Sequence, residues 1–281
     1  MSILKDKTIV ITGASRGIGR EIALSCAKKA ANIVIAAKSA EPNPKLPGTI
    51  FSVAEEVEAL GARALPIQVD VRDHAQVFAL MQTTAETFGG IDMIINNAGA
   101  ISLTNVENTR PNLYDRMMSI NARAVYLTAH AALPWLKQSK HAHILSLSPP
   151  LNLDPRWFKA HAPYTLSKYG MTMLSLGMAE EFKSHNIAVN CLWPRTIIAT
   201  AAIEFALMGK EAFQQCRTPA IMADAALAIL EQPTSFSSNT LLDEEALALV
   251  GIKAFDQYRY DASYNGELGA DLFLDDCLWS T

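Results

Sequence analysis

Thr12-Gly13-Ala14-Ser15-Arg16-Gly17-Ile18-Gly19 is the stretch that decides how this chain folds. It follows directly on the β-branched run 8–12 and opens a segment with Ile18, Ile22 and Ala23 at helical spacing, so it reads as a strand-to-helix turn. Glycines permit a tight turn and close backbone approach, while free N–H groups at a helix start face an anion. In that context Gly13, Ala14, Ser15, Arg16, Gly17, Ile18 and Gly19 suit the pyrophosphate of a dinucleotide. The bland alternative is an ordinary tight connection.

Outward from the turn, apolar runs recur at 32–37, 64–69, 92–96, 143–147, 188–192 and 240–242, with helical segments between them. Strands that are continuously apolar belong to a parallel sheet covered on both faces. The expected fold is α/β: a doubly wound parallel sheet, Rossmann-like, in three α/β/α layers. One domain is expected over 1–281, with a core of about 5–245 and a C-terminal extension of about 246–281. Three stretches break the rhythm. Residues 39–49 hold Pro42, Pro44, Pro47 and Gly48 and read as a rigid surface loop. Residues 149–163 lie just after a strand, where open α/β sheets bind ligands. Residues 195–224 read as a mobile covering element.

Half of the 281 residues are apolar, and 28 acidic against 24 basic residues leave a net charge of -4. Such a chain can bury a large core, and it carries no electrostatic footprint for nucleic acid. No apolar stretch approaches the ~20 residues of a membrane span, and Lys5, Asp6 and Lys7 interrupt any signal-peptide core. A soluble intracellular protein is expected, cytoplasmic first, with an organelle left open. Cys26, Cys191, Cys216 and Cys277 are scattered, which fits reduced thiols. No metal is expected; His141 and His143 are read as held apart on opposite faces of a strand.

The second run ends Ile35-Ala36-Ala37 and continues with Lys38, leaving no carboxylate for the 2′-hydroxyl of NAD. Lys38 and Arg16 suit a 2′-phosphate instead, so NADP(H) is the expected cofactor. As solvated surface cations they would have no such role.

Together with Asp70-Val71, Asn96-Asn97-Ala98-Gly99, Asn121, and Tyr164 with Lys168, the glycine turn resembles the short-chain dehydrogenase/reductase family over about residues 5–245. Ala36-Ala37-Lys38, Ser148-Pro149-Pro150-Leu151-Asn152-Leu153 and Gly177-Met178-Ala179-Glu180-Glu181-Phe182 resemble its hydroxysteroid dehydrogenase-like branch. Members of that branch often carry a further sterol-carrier domain, which these residues are expected not to include. Tyr164 and Lys168 share a helix face. A phenol ordinarily titrates near ~10, and the ammonium is expected to lower that value, making Tyr164 the acid-base group.

The resemblance implies further roles. Lys168 also holds the nicotinamide ribose, and Asn121 keeps a helix open and anchors a water on the proton path. Asp70 meets the adenine amino group with Val71 beside the ring, Asn97, Ala98 and Gly99 meet the adenosine ribose, and Pro194 and Thr196 sit by the nicotinamide. Two departures stand out. The family serine thirteen residues before the tyrosine is Leu151 here, and aligning strand ends puts Pro149 in its place, which leaves Ser148 as the candidate carbonyl-polarising group with Asn152 behind it. Pro194 is followed by Arg195 where the family usually has glycine; Arg195 either attracts an anionic group or extends to solvent.

The expected function is an oxidoreductase interconverting a carbonyl and a secondary alcohol on an apolar substrate. The apolar stretch 197–208 points to a lipid or acyl molecule, and Trp157, Phe158 and His161 either line the pocket or pack as loop core. The alternatives are a weakly catalytic NADP-binding sensor or scaffold and an acyl-thioester reductase. The resemblance implies a homodimer or homotetramer joined through 113–133 and 164–182.

Overall fold

The apolar runs become strands because their backbone groups pair with one another in parallel ladders. These are β1 (Thr8–Thr12), β2 (Asn32–Ala37), β3 (Ala64–Gln68), β4 (Met93–Asn96), β5 (Ala142–Ser146), β6 (Ile187–Trp193) and β7 (Thr240–Leu242). The sheet order is β3-β2-β1-β4-β5-β6-β7, with every pairing parallel. The computed structural model describes residues 2–43 and 46–274. All seven expected runs are strands, with ends shifted by one residue at most.

Between them lie α1 (Gly17–Ala27), α2 (Ile50–Ala59), α3 (His74–Phe88), α4 (Pro111–Met118), α5 (Ala124–Leu136), α6 (Arg156–Lys159), α7 (Ala162–Glu181), α8 (Ala220–Leu230) and α9 (Asp243–Ala248). Successive strand residues point to opposite faces, so each strand feeds two cores. Ile9, Ile11, Ile33 and Ile35 pack with α1, α2 and α8. Val10, Val34 and Ile94 pack with α3, α5 and α7. Burying each such side chain stabilises the fold by roughly 1.5–3 kcal/mol, which is why the central strands read as unbroken apolar runs. β3 is an edge strand, so its Pro66 is tolerated. Strand order reverses between β1 and β4, and the crevice beyond their carboxyl ends is where such sheets take ligands.

The described residues of 39–49 contain no helix or strand apart from a bridge between Asn43 and Leu46; Pro44 lies outside the described residues. In 195–224, short irregular helices at Ile203–Leu207 and Lys210–Gln215 precede α8. Cys26, Cys191 and Cys216 are buried free thiols, and Cys277 lies outside the described residues. Among the described residues no helix is long and apolar enough to cross a membrane, and no group of three potential metal ligands occurs.

The expectation for His141 and His143 is corrected. Residues two apart along an extended chain share a face, and the two rings lie 4.4 Å apart. Burial, with His141 beside it, pulls His143 down to about 3. A buried neutral histidine whose folded value lies below its unfolded value leaves stability intact above about 6.5 and removes it as the pH falls toward the folded value. Thermal melts between about pH 7 and pH 4 should therefore show acid destabilisation on the order of 3 kcal/mol that is absent from His143→Leu. Parallel melting curves for the two proteins would refute the assignment.

Candidate active site

At the nucleotide end, the turn after β1 approaches β4 too closely for side chains. Gly13 has φ +67°, and a Cβ there would lie 2.9 Å from the Cα of Ala98. A Cβ on Gly19 would run into the amide nitrogen of Asn97. Asn97 uses that nitrogen to donate to the carbonyls of Thr12 (2.9 Å) and Gly13 (3.1 Å). In return the Thr12 hydroxyl accepts from the backbone N–H groups of Asn97 and Ala98, each at 3.1 Å. α1 starts without a side-chain cap and without an acidic residue in its first turn. Its leading N–H groups and positive end are therefore suited to a pyrophosphate.

The expected 2′-phosphate clamp is arranged differently from the sequence reading. Arg16 donates to the Ser39 hydroxyl (2.9 Å) and to the carbonyls of Gly48 (3.0 Å), Leu46 and Pro47 (3.3 Å each), so it pins the proline-containing loop against the turn. Lys38 is an exposed cation 3.2 Å from Asp70, which also holds Arg72 at 2.6 Å. The Arg72 guanidinium, with Lys38 behind it, keeps the Asp70 carboxyl well below the usual carboxylate range. Asp70 is thus neutralised by two cations. Val71 is buried beside it.

The reacting end is built on α7. Tyr164, Lys168, Asn97 and Gly99 line one cavity of about 260 Å³ that also reaches Ile18 of the glycine turn. Tyr164 is buried, and burial, with Asp271 nearby, pushes its phenol up. This corrects the expectation that Lys168 lowers it. The Lys168 ammonium donates to the Leu147 carbonyl at 2.7 Å and lies 5.0 Å from the Trp193 ring centre, and burial brings it down to about 8. Desolvation is the largest cause for both groups.

Asn121 sits in a π-helical segment, Ser119–Arg123, between α4 and α5. Its amide donates to Ala100 O (2.9 Å) and Ser167 Oγ (2.8 Å) and accepts from Ala100 N (2.8 Å). It ties the end of β4, the widened helix and α7 together. The local opening of the helix is present.

Two expected residues are not brought to the cavity. Ser148 is buried near the Cys191 thiol, which burial pushes up with Ser148, Ser175 and Thr172 opposing, and it is absent from the cavity wall that Leu147 lines. Its strand parity puts it on the far side. Pro194 lines the cavity, whereas Thr196 lines a neighbouring one with Arg195 and Arg217. Arg195 lines that neighbouring cavity with its guanidinium 3.3 Å from Glu244. Trp157 and His161 are core residues packed on Phe273.

The sequence reading missed Arg72, Trp193, Asp271 and Phe273. Arg72 follows the recognised Asp70-Val71 pair and was legible as a cation beside it. Asp271 and Phe273 carried no local signal. They arrive from the C-terminal segment, where Phe273 meets Tyr169 at 5.1 Å, Trp193 at 5.9 Å and Tyr164 at 6.2 Å, the last as a stacked pair.

Known proteins share this arrangement. A short chain dehydrogenase family model matches residues 7–206. Hydroxysteroid dehydrogenase-like protein 2 of Xenopus tropicalis is 55% identical over 269 residues, covering 96% of this chain and 64% of that protein, so the chain spans just under two thirds of that relative. A putative dehydrogenase from Xanthomonas campestris is 47% identical with a TM-score of 0.93, covering 97% of this chain and 99% of that one. A metagenomic short-chain oxidoreductase in complex with NADP is 26% identical with a TM-score of 0.70, covering 85% and 97% of the two chains. Because the family model runs from β1 into the segment that covers the cavity, the chain belongs to the short-chain dehydrogenase/reductase family.

Proposed function

We propose that this chain uses NADP(H) to interconvert a carbonyl and a secondary alcohol on an apolar substrate of lipid or acyl character. The observation that carries this reading is the single cavity joining the glycine turn at Ile18 to Tyr164 and Lys168, walled elsewhere mainly by apolar side chains such as Ile101, Leu103, Ile197 and Ile203. Part of that wall comes from the apolar stretch 197–208.

Gly13, Ser15 and Gly17 to Gly19 would hold the pyrophosphate, while Asp70, Val71, Ala98 and Gly99 border the adenosine half. Solved structures of this fold hold NAD as well as NADP, so the choice rests on charge. Arg16, Lys38 and Arg72 outnumber Asp70, and Lys38 rather than a carboxylate stands directly after β2. That balance favours a 2′-phosphate. When bound, the nicotinamide supplies or accepts the hydride.

Tyr164 is held protonated by its burial, which suits it to give its proton to the alkoxide oxygen formed on reduction, since an alkoxide is the stronger base. Lys168, oriented by the Leu147 carbonyl, stabilises the phenolate that remains and takes the nicotinamide ribose. Asn121 keeps α7 registered against β4 and supports the proton path. α5 and α7 leave Tyr126, Leu166 and Met173 exposed, a face consistent with pairing of two copies of the chain.

The displaced Ser148 favours a second reading, an NADP-binding sensor or scaffold with little turnover. Fluorescence titration with NADPH followed by a panel of lipid and acyl carbonyls separates the two, because tight binding with no NADPH oxidation supports the sensor. For the enzyme, Tyr164→Phe should lower kcat by about 10²–10⁴-fold while leaving the NADPH Kd within about twofold. Undiminished turnover would sink the reading. Lys38→Asp should weaken NADPH at least about tenfold and leave NADH binding equal or tighter; an unchanged preference removes the NADP assignment.

A further inference from the structure

The cavity holds a polar group that the family pattern does not account for. Asp271 lines it together with Tyr164 and Lys168. It comes from a C-terminal segment that lies across the mouth of the sheet, and that segment is fastened at several points. Ile197 N–H donates to Gly269 O (2.9 Å), Thr196 bridges Ala270, and Asp271 N–H donates to Arg195 O (2.9 Å). The Trp193 indole donates to Leu272 O at 3.0 Å. Phe273 then fills an aromatic box made by Trp157, His161, Tyr164, Tyr169 and Trp193. A carboxyl group held on both sides in this way has little freedom to swing away.

Two of the cavity's other polar side chains are already engaged. Asn97 is bonded to the glycine turn, and Lys168 to Leu147. Ser148 is absent from the cavity wall. Asp271 Oδ1 accepts from Leu272 N–H at 2.7 Å, which leaves its other oxygen for the cavity.

We infer that Asp271, in its neutral form, is the second hydrogen-bond donor to the substrate oxygen beside Tyr164, taking the carbonyl-polarising place that Ser148 leaves open. This rests on the oxidoreductase reading above. No bond to Asp271 is made or broken; it donates through its O–H while Tyr164 transfers the proton. The groups facing it are Tyr164 and Lys168 from α7, Asp243 at the start of α9, and Cys216 from the covering segment. Burial and the neighbouring Asp243 push Asp271 up to about 7, with Lys168 opposing, so the donor is populated at and below neutral pH and lost above it.

Two readouts test this on the full chain. In ¹³C NMR of protein labelled at the aspartate carboxyl carbons, one resonance should titrate near pH 7 and be missing from Asp271→Asn. In steady-state reduction of 9,10-phenanthrenequinone by NADPH, wild-type kcat/KM should fall through the same pH. Asp271→Asn retains an N–H donor, so its rate should stay within about tenfold of wild type and lose that limb, whereas Asp271→Ala should fall about 10²-fold with unchanged NADPH affinity. The absence of any carboxyl titrating above about pH 6, or wild-type rate and pH profile in Asp271→Ala, overturns the inference. Tyr164→Phe, measured alongside, keeps the two readings apart. If it abolishes turnover while Asp271→Ala does not, only the role of Asp271 fails; if it turns over normally, the parent reading fails.

Discussion

The nucleotide end depends on a missing atom. With no Cβ on Gly13 or Gly19, the turn after β1 can lie against the end of β4, and Asn97 can reach across to hold two of its carbonyls. That contact sits where strand order reverses, so it sets the width of the crevice between the two halves of the sheet. The cavity that begins at Ile18 and Asn97 and ends at Tyr164 exists because β1 and β4 are held at that spacing. Filling either glycine would push Asn97 off the turn and open the crevice from its base.

At the other end one physical effect accounts for three shifted groups. Burial raises the Tyr164 phenol, lowers the Lys168 ammonium and raises the Asp271 carboxyl, each toward its neutral form. Buried, oriented donors, with Lys168 still largely an ammonium at neutral pH, are suited to charge that appears only during reaction. A low-dielectric surrounding strengthens each donor's hold on a developing oxyanion. Aromatic packing around Phe273 keeps water from the same region. The reacting end is therefore an electrostatic counterpart to the nucleotide end, where Lys38, Asp70 and Arg72 form a solvated, charge-paired cluster.

Much of this was legible in the residues. Seven apolar runs predicted seven strands, since a parallel sheet buried on both faces leaves an unbroken apolar signal. The glycine turn, the Tyr164–Lys168 face and the position of Asn121 were recognisable because they depend on local spacing. Other placements depend on contacts between distant groups. Arg16 spends Nε and Nη2 on Ser39 and the carbonyls of Leu46, Pro47 and Gly48. Thr196 lines the cavity next to the one that holds Tyr164. The His141–His143 reading failed through a misapplied strand period.

What the chain's order of residues determined by itself was the fold, the nucleotide turn and the helix bearing the acid-base pair, because each follows from contacts a few residues long or from a repeating apolar pattern. What tertiary structure alone decided was protonation and occupancy: which groups lose water, which donors are already spent, and which side chain completes the cavity. Asp271 lies more than a hundred residues beyond Tyr164, and nothing in the intervening sequence encodes their meeting. Burial and proximity are properties of the assembled core, and they set the chemistry of the site.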